Sequence, residues 1–339
     1  MCLPPSLKAQ SRRIQYHQRD LIPSRAGSAL IEVGVRRPNE RDRLFGDEVA
    51  LHNLSKKLQH RTDTLAAVYL LMTAAIVWLH RTRLPGWEYF LLAHLLSSAG
   101  IVMLRRVPVD RLPGAIGFLR DWYPLLLFPL LYKEVERFAL AFGDWRLTET
   151  IQRLELSLFG SHPSLYASQR YPWVPLSEYL HFCYFAYLLL LPVVGGVWYF
   201  NGRRHDFQEL LLLVSATLFS SYVFFMLYPV DSPFYLFEGL QAPLADGFFF
   251  QLVHFFSARG GARGGAFPSA HVSVSIVIWL LAWQRQRRLA WLLAPVVIGL
   301  VAATVYGRFH YAVDAVAGAL LAALITGSYR PWREARLAL

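Results

Sequence analysis

Charged residues are scarce in this chain: only 17% of its 339 residues are Asp, Glu, Lys or Arg, against ~25% in ordinary soluble domains. Cysteine is almost absent. Cys2 and Cys183 are the only two and lie far apart in the sequence, so we expect neither a disulfide framework nor a metal cluster. The first residues lack the apolar segment of a signal peptide, and we expect no cleaved leader.

Hydrophobic residues, by contrast, make up 55% of the chain and recur in runs close to the length that crosses a bilayer. We therefore predict an all-α fold, a polytopic membrane helical bundle of about eight spans. The third span is the weakest, because charged residues interrupt it near its end. The predicted spans are 64–80, 88–104, 121–142, 176–200, 208–228, 269–283, 289–305 and 311–328.

The formal net charge of +11 suggests an anionic partner, but its placement argues against nucleic acid. Residues 1–62 are basic and lack an apolar core, which is typical of a partly disordered cytosolic arm near anionic lipid. With eight spans, the other basic segments fall on the same side as this arm, and the Lys/Arg bias assigns that side to the cytoplasm. We expect an integral protein of the plasma (inner) membrane with both termini cytoplasmic, including a tail at 329–339.

The segment GGAFPSAH, residues 264–271, stands where the sixth predicted span begins on the outer side. Ser269 is a good N-cap, and a helix N-terminus presents unpaired N–H groups with a partial positive charge. Gly265 allows close approach of the backbone to a ligand. The segment therefore predicts a phosphate seat with His271 in the first helical turn. An ordinary capped helix with an interfacial histidine is the alternative.

The segment RFHYAVD, residues 308–314, supplies further polar groups at a span end. His310 and Asp314 are four residues apart, so a helix would place them on one face. An Asp that accepts one ring N–H leaves the other nitrogen as a nucleophile or base, and Arg308 can hold phosphate oxygens. An interfacial ion pair is the alternative. The predicted topology brings both histidines to the same outer surface, which favours one joint site.

FPSAH and RFHYAVD resemble the second and third motifs of the type 2 phosphatidic acid phosphatase superfamily, which includes vanadium haloperoxidases. The spacing in YGRFHYAVD is most similar to the branch that contains inositol phosphorylceramide synthase. The resemblance covers residues 120–328 and implies a six-span phosphatase core there. Residues 63–119 then form two accessory membrane spans.

The resemblance implies a covalent mechanism that needs neither a metal nor a cofactor. His310 would attack phosphorus to form a phosphohistidine that Asp314 orients, while His271 would protonate the leaving oxygen and then activate the acceptor. Ser269, Arg308 and nearby backbone N–H groups would hold the phosphoryl oxygens.

With water as acceptor, the resemblance implies a lipid-phosphate phosphatase at the outer membrane face, which is the function we favour. With a lipid or polyol hydroxyl, the enzyme would be a phosphotransferase like inositol phosphorylceramide synthase. A non-enzymatic lipid transporter, with the histidines as proton relays, is the further alternative. Its helices would be broken in pairs and related by inverted repeats.

The sequence departs from the superfamily at the first motif, a Lys with a later Arg-Pro. YPVDSPFY, residues 228–235, stands in its place and carries Asp231 but no arginine. We rank Arg263 first as the replacement cation, because it adjoins the glycines; Arg259, Lys133 and Arg137 are alternatives. Lys133 and Arg137 could instead form a structural charge network with neighbouring glutamates.

Five side chains are candidates for a head-group pocket, and two of them are the cations Lys133 and Arg137. Glu178 and His181 share a face at the outer start of the fourth predicted span, and Asp231 lies in the loop that replaces the first motif. Glu178 and His181 could equally satisfy each other.

Overall fold

The computed structural model describes residues 40–107, 114–142 and 146–337, which are almost entirely helical. Among them the only β-type pairing is an isolated bridge between Val230 and Gly265. The described residues from Gly46 onward belong to one compact unit. The predicted all-α membrane bundle is confirmed. The α-helices are α1 Glu40–Leu79, α2 Trp87–Leu104, α3 Gly114–Ala141, α4 Thr148–Phe159, α5 Pro163–Arg170, α6 Val174–Phe200, α7 Arg204–Leu227, α8 Pro233–Leu236, α9 Phe248–Gly260, α10 Ala270–Arg285, α11 Arg287–Tyr306 and α12 Ala312–Leu337.

Within the described ranges, six helices are long and apolar enough to cross a membrane: α1, α2, α6, α7, α11 and α12. They coincide with six of the eight predicted spans. The other two predictions meet helices that fall short of this standard. Helix α3 carries charged residues in both halves. Helix α10 has 16 residues and is about 24 Å long, less than the ~30 Å of a hydrocarbon core.

Helix α10 is short because it lies inside the bundle, packed against α6, α7, α11 and α12. Val272, Val277 and Ile278 are fully buried there. Neighbouring helices surround it, so it does not have to match the bilayer thickness itself. The packing brings the start of α10 next to the start of α12.

The predicted arm boundary at residue 62 falls inside α1, which runs unbroken from Glu40 to Leu79. Residues near this boundary are buried against α3: Asp63 accepts two hydrogen bonds from Arg120, and Gln59 donates to Asp121 over 2.7 Å. Buried polar groups that are paired in this way can continue a helix into the bundle. Residues 1–39 of the predicted arm lie outside the described part of the chain. The predicted tail at 329–339 likewise begins inside α12.

Candidate active site

Ser269 is the N-cap of α10, as the sequence predicts. Its hydroxyl accepts a hydrogen bond from the Val272 N–H over 3.4 Å, and its own N–H donates to the Asp314 carbonyl over 3.0 Å. A Cβ on Gly318 would stand 2.5 Å from the Ser269 carbonyl oxygen. Only glycine therefore lets α12 approach the start of α10 this closely.

His310 lies in the turn between α11 and α12, and not within a helix as its spacing to Asp314 predicted. Its Nδ1–H donates to the Ala266 carbonyl over 2.9 Å, and Oδ2 of Asp314 lies 3.5 Å from the same nitrogen. Asp314 is fully buried, and its Oδ2 also accepts the Tyr311 N–H over 2.9 Å. These acceptors hold the ring proton on Nδ1 and leave Nε2 with its lone pair.

The two predicted histidines meet directly. Nδ1 of His271 lies 3.2 Å from Nε2 of His310, so the His271 Nδ1–H donates to the free nitrogen of His310. The rings of Tyr184 and Tyr187 pack against His271, at 4.7 and 4.4 Å between centroids. Both histidines line a cavity of about 500 Å³ inside the bundle.

The loop at residues 264–266 is held by the segment that replaces the missing motif. Val230 donates to the Gly264 carbonyl and accepts from the Ala266 N–H, both over 3.0 Å. Gly264 has φ +83°, a left-handed conformation that favours glycine. Gly265 lines the histidine cavity. The loop thereby presents the Ala266 carbonyl to His310.

Asp231 holds this loop in place. Its Oδ1 accepts from the Gly264 N–H over 2.9 Å and from Nη1 of Arg146 over 2.8 Å. Asp231 is thus bonded to the loop and to Arg146, and it is not among the residues that line the histidine cavity. Arg146 was missed by sequence reasoning, because nothing in the sequence pairs it with an aspartate 85 positions away.

Arg308 turns away from the histidine cavity. The predicted contact with phosphate assumed a helix through residues 308–314, but α11 ends at Tyr306 and Arg308 has φ +62°. Its guanidinium donates to the Ser168 hydroxyl over 3.1 Å and to the Glu238 carbonyl. Burial lowers the pKa of this guanidinium. Arg308 is absent from the cavity lining.

Of the four predicted replacement cations, Arg263 contacts a cavity-lining residue: its guanidinium lies 5.4 Å from the ring of Tyr235. The others are engaged elsewhere. Lys133 donates to the Arg259 carbonyl, Arg259 lies over Phe255 and Arg137 lies over Phe90.

The observed network at this place in α3 contains Glu134 but neither Lys133 nor Arg137. Oε2 of Glu134 lies 2.8 Å from Nε2 of His94, whose Nδ1 lies 2.9 Å from the Thr73 hydroxyl. The network thus links α3 to α1 and α2.

Glu178 and His181 do not satisfy each other. The Glu178 carboxylate accepts the N–H groups of Phe249 and Phe250, both over 3.0 Å, and so caps α9. The His181 Nδ1–H donates to the Ser177 carbonyl over 2.7 Å, which follows from their i,i+4 spacing on α6. Neither side chain lines the histidine cavity.

A second histidine, His254 of α9, lies beside His181 of α6. The ring centroid of His254 is 6.0 Å from that of His181 and 3.9 Å from that of Phe250. Burial, and then the neighbouring His181, lowers the pKa of His254 to about 4. His254 is therefore a neutral ring in an aromatic cluster at neutral pH. Over the described residues, no group of three or more His, Cys, Asp or Glu side chains is placed to hold a metal ion.

Fold and site together define a helical membrane protein in which two histidines face each other at the starts of two bundle helices. A family model described as PAP2 superfamily matches residues 149–327, which is more than half of the chain and includes both histidine motifs. The chain therefore belongs to the PAP2 superfamily, and this membership indicates an enzyme of the phosphatase or phosphotransferase type. No curated protein and no solved structure gives a significant match.

Proposed function

We propose that this protein is an integral-membrane lipid-phosphate phosphatase with His310 as nucleophile and His271 as general acid and base. The observation that carries the proposal is the 3.2 Å contact between His271 Nδ1 and His310 Nε2 at a cavity wall. Because Nδ1 of His310 is engaged with Ala266, the reactive lone pair is on the nitrogen that faces His271. A phosphoryl group entering the cavity replaces this direct contact.

The reaction then runs in two displacements. Nε2 of His310 attacks phosphorus, the P–O bond to the leaving alcohol breaks, and His271 gives its proton to the departing oxygen. Water next attacks the phosphohistidine while His271 takes its proton. The N–P bond breaks, releasing inorganic phosphate and restoring His310.

The phosphoryl oxygens are held at the start of α10. The first N–H groups of a helix lack partners within it and carry a partial positive charge. The Ser269 hydroxyl accepts from Val272 and keeps its own proton to donate. Arg263 supplies positive charge from beside Tyr235. These groups stabilise the charge that develops on the transferring phosphoryl group.

Phosphate release from a lipid phosphomonoester by purified protein in detergent tests this proposal. We expect His310→Ala to lower kcat by about a thousandfold or more and His271→Ala by at least about a hundredfold. His60→Ala is the matched control, since His60 is half exposed and bonds to Arg105; it should retain full activity. Activity should persist in EDTA.

Unchanged turnover in His310→Ala would remove the nucleophile from the proposal, and complete loss in EDTA would contradict a metal-free reaction. Adding alcohols to the assay shows whether water or an alcohol accepts the phosphoryl group. Free phosphate as the product supports hydrolysis, whereas a new phosphoester identifies a phosphotransferase.

A further inference from the structure

The cavity at the two histidines has a polar end and an apolar end. Its polar groups lie near the loop 260–265 and the start of α10, whereas Leu125, Leu191, Val214 and Leu218 line its far part. None of the described lining residues is Asp, Glu, Lys or Arg. Only the end that carries the histidines is therefore suited to a charged group.

The apolar part extends well into the bundle. The lining includes Tyr222 and Val214 on α7, and Tyr184 and Pro192 on α6. In each case the two residues are eight positions apart, which corresponds to about 12 Å along a helix. The cavity is thus deep and long in the direction of the helix axes, and its volume is that of a small-molecule site.

Two of the tyrosine hydroxyls in the lining form hydrogen bonds within the protein itself. The Tyr222 hydroxyl donates to the Phe128 carbonyl over 3.1 Å, and the Tyr132 hydroxyl accepts from the Ala262 N–H over 3.4 Å. Beside Leu125, Leu191, Val214 and Leu218, a polar occupant would lose its hydrogen bonds to water without replacing them. Hydrocarbon, in contrast, gains by leaving water, by a factor of about four for each methylene buried.

The cavity also opens at the exposed lateral surface of the bundle. Leu188 on α6 and Phe256 on α9 both line it and are 52% and 45% exposed. They mark a lateral opening between these helices, of which α6 is long and apolar enough to cross a membrane. A chain that belongs to a membrane lipid can enter sideways through this opening.

We infer that the apolar end of the cavity holds one alkyl chain of the substrate while its phosphate lies at the histidines. This inference rests on the proposed function for the phosphate end. The pocket wall formed by Val214 and Leu218 limits the length of the alkyl chain that fits. The enzyme therefore selects substrates by chain length, and these two residues determine the selection.

The test compares hexadecyl phosphate with butyl phosphate in wild type and in Val214→Phe, which narrows the far end. We expect wild type to favour the long chain and Val214→Phe to lower the ratio of the two kcat/KM values by about tenfold or more. Leu218→Ala widens the pocket and should raise the ratio. Val193→Phe makes the same change on an exposed position of α6 outside the lining and should leave the ratio unchanged.

A second readout needs no turnover. An alkyl phosphonate with a terminal diazirine, bound to His310→Ala and photolysed, should label peptides of α7, and Val214→Phe in the same background should abolish this labelling. Equal ratios in all variants, or labelling confined to lipid-facing positions, overturns the chain pocket. If neither alkyl phosphate is hydrolysed while α7 is still labelled, the proposed reaction fails and the pocket stands.

Discussion

The ring proton of His310 is accepted by a backbone carbonyl, although the sequence predicted a side-chain carboxylate as its acceptor. The sequence offered Asp314 as the acceptor of the ring proton. The Ala266 carbonyl, at 2.9 Å, lies closer to Nδ1 than the Asp314 carboxylate does at 3.5 Å. Val230 holds Ala266 by a hydrogen bond, and Asp231 holds Gly264 in the same loop. The orientation of His310 therefore depends on two residues that do not contact it.

At this scale we predict that Asp231→Ala lowers kcat by about tenfold or more, because the loop at 264–266 loses the acceptor of the Gly264 N–H. Asp231→Asn retains an amide oxygen for that N–H and loses only the charge opposite Arg146. Its kcat should therefore lie between those of Asp231→Ala and wild type. Steady-state phosphate release by both variants measures the effect.

Glu149→Ala is a control for the removal of a paired carboxylate, because Glu149 pairs with Arg153 on the exposed face of α4 and such pairs contribute little. If Asp231→Ala keeps the activity of this control, the loop does not position His310.

At the scale of helices, two elements near the site begin on a glutamate from elsewhere in the chain. Glu178 of α6 accepts two N–H groups at the start of α9. Glu155 of α4, fully buried, accepts the Ala312 N–H at the start of α12 and contacts His162. A carboxylate at a helix N-terminus satisfies unpaired donors and complements the helix dipole, so these contacts fix where α9 and α12 begin.

We predict that Glu178→Ala destabilises the protein by about 1–2 kcal/mol, the usual effect of removing a helix cap. A Cβ at Gly247 would collide with the Glu178 carboxylate, so Gly247→Ala should also destabilise the protein by displacing that carboxylate. Thermal unfolding in detergent measures both changes.

Glu88→Ala is the matched control, since Glu88 lies in the first turn of α2, which has no side-chain cap bond at its N-cap. Its loss should cost only a few tenths of a kcal/mol. Equal melting temperatures for Glu178→Ala and Glu88→Ala would contradict the capping role.

At the scale of the whole molecule, the two ends of the bundle carry different polar groups. One end holds ion pairs among α3, α7 and α10, with Asp121 contacting Arg204 and with Arg285 contacting Asp206 and Glu209. The other end holds both histidines and the loops that position them. The basic segments at 201–204 and 284–288 lie at the first end, and from the Lys/Arg bias we expect this end to face the cytoplasm.

We therefore predict that Ser161, between α4 and α5, faces outward and that Asn201, between α6 and α7, faces the cytoplasm. Both are exposed. Single cysteines, Ser161→Cys and Asn201→Cys, are to be treated with a membrane-impermeant maleimide in a Cys2→Ser background; Cys183 is buried. We expect the maleimide to label only Ser161→Cys in intact cells and to label both variants in broken cells. The reverse pattern would invert the orientation.

The sequence by itself determined the helical membrane class, the start of α10 at Ser269 and the two histidines of the site. These features are local, because a run of apolar residues or a cap needs only its neighbours in the chain. The tertiary structure alone decided which groups serve those histidines. Ala266 reaches His310 across 44 positions, Asp231 reaches Arg146 across 85, and Arg308 turns to Ser168 because α11 ends before it. Such contacts depend on how loops close between packed helices, which no local pattern specifies.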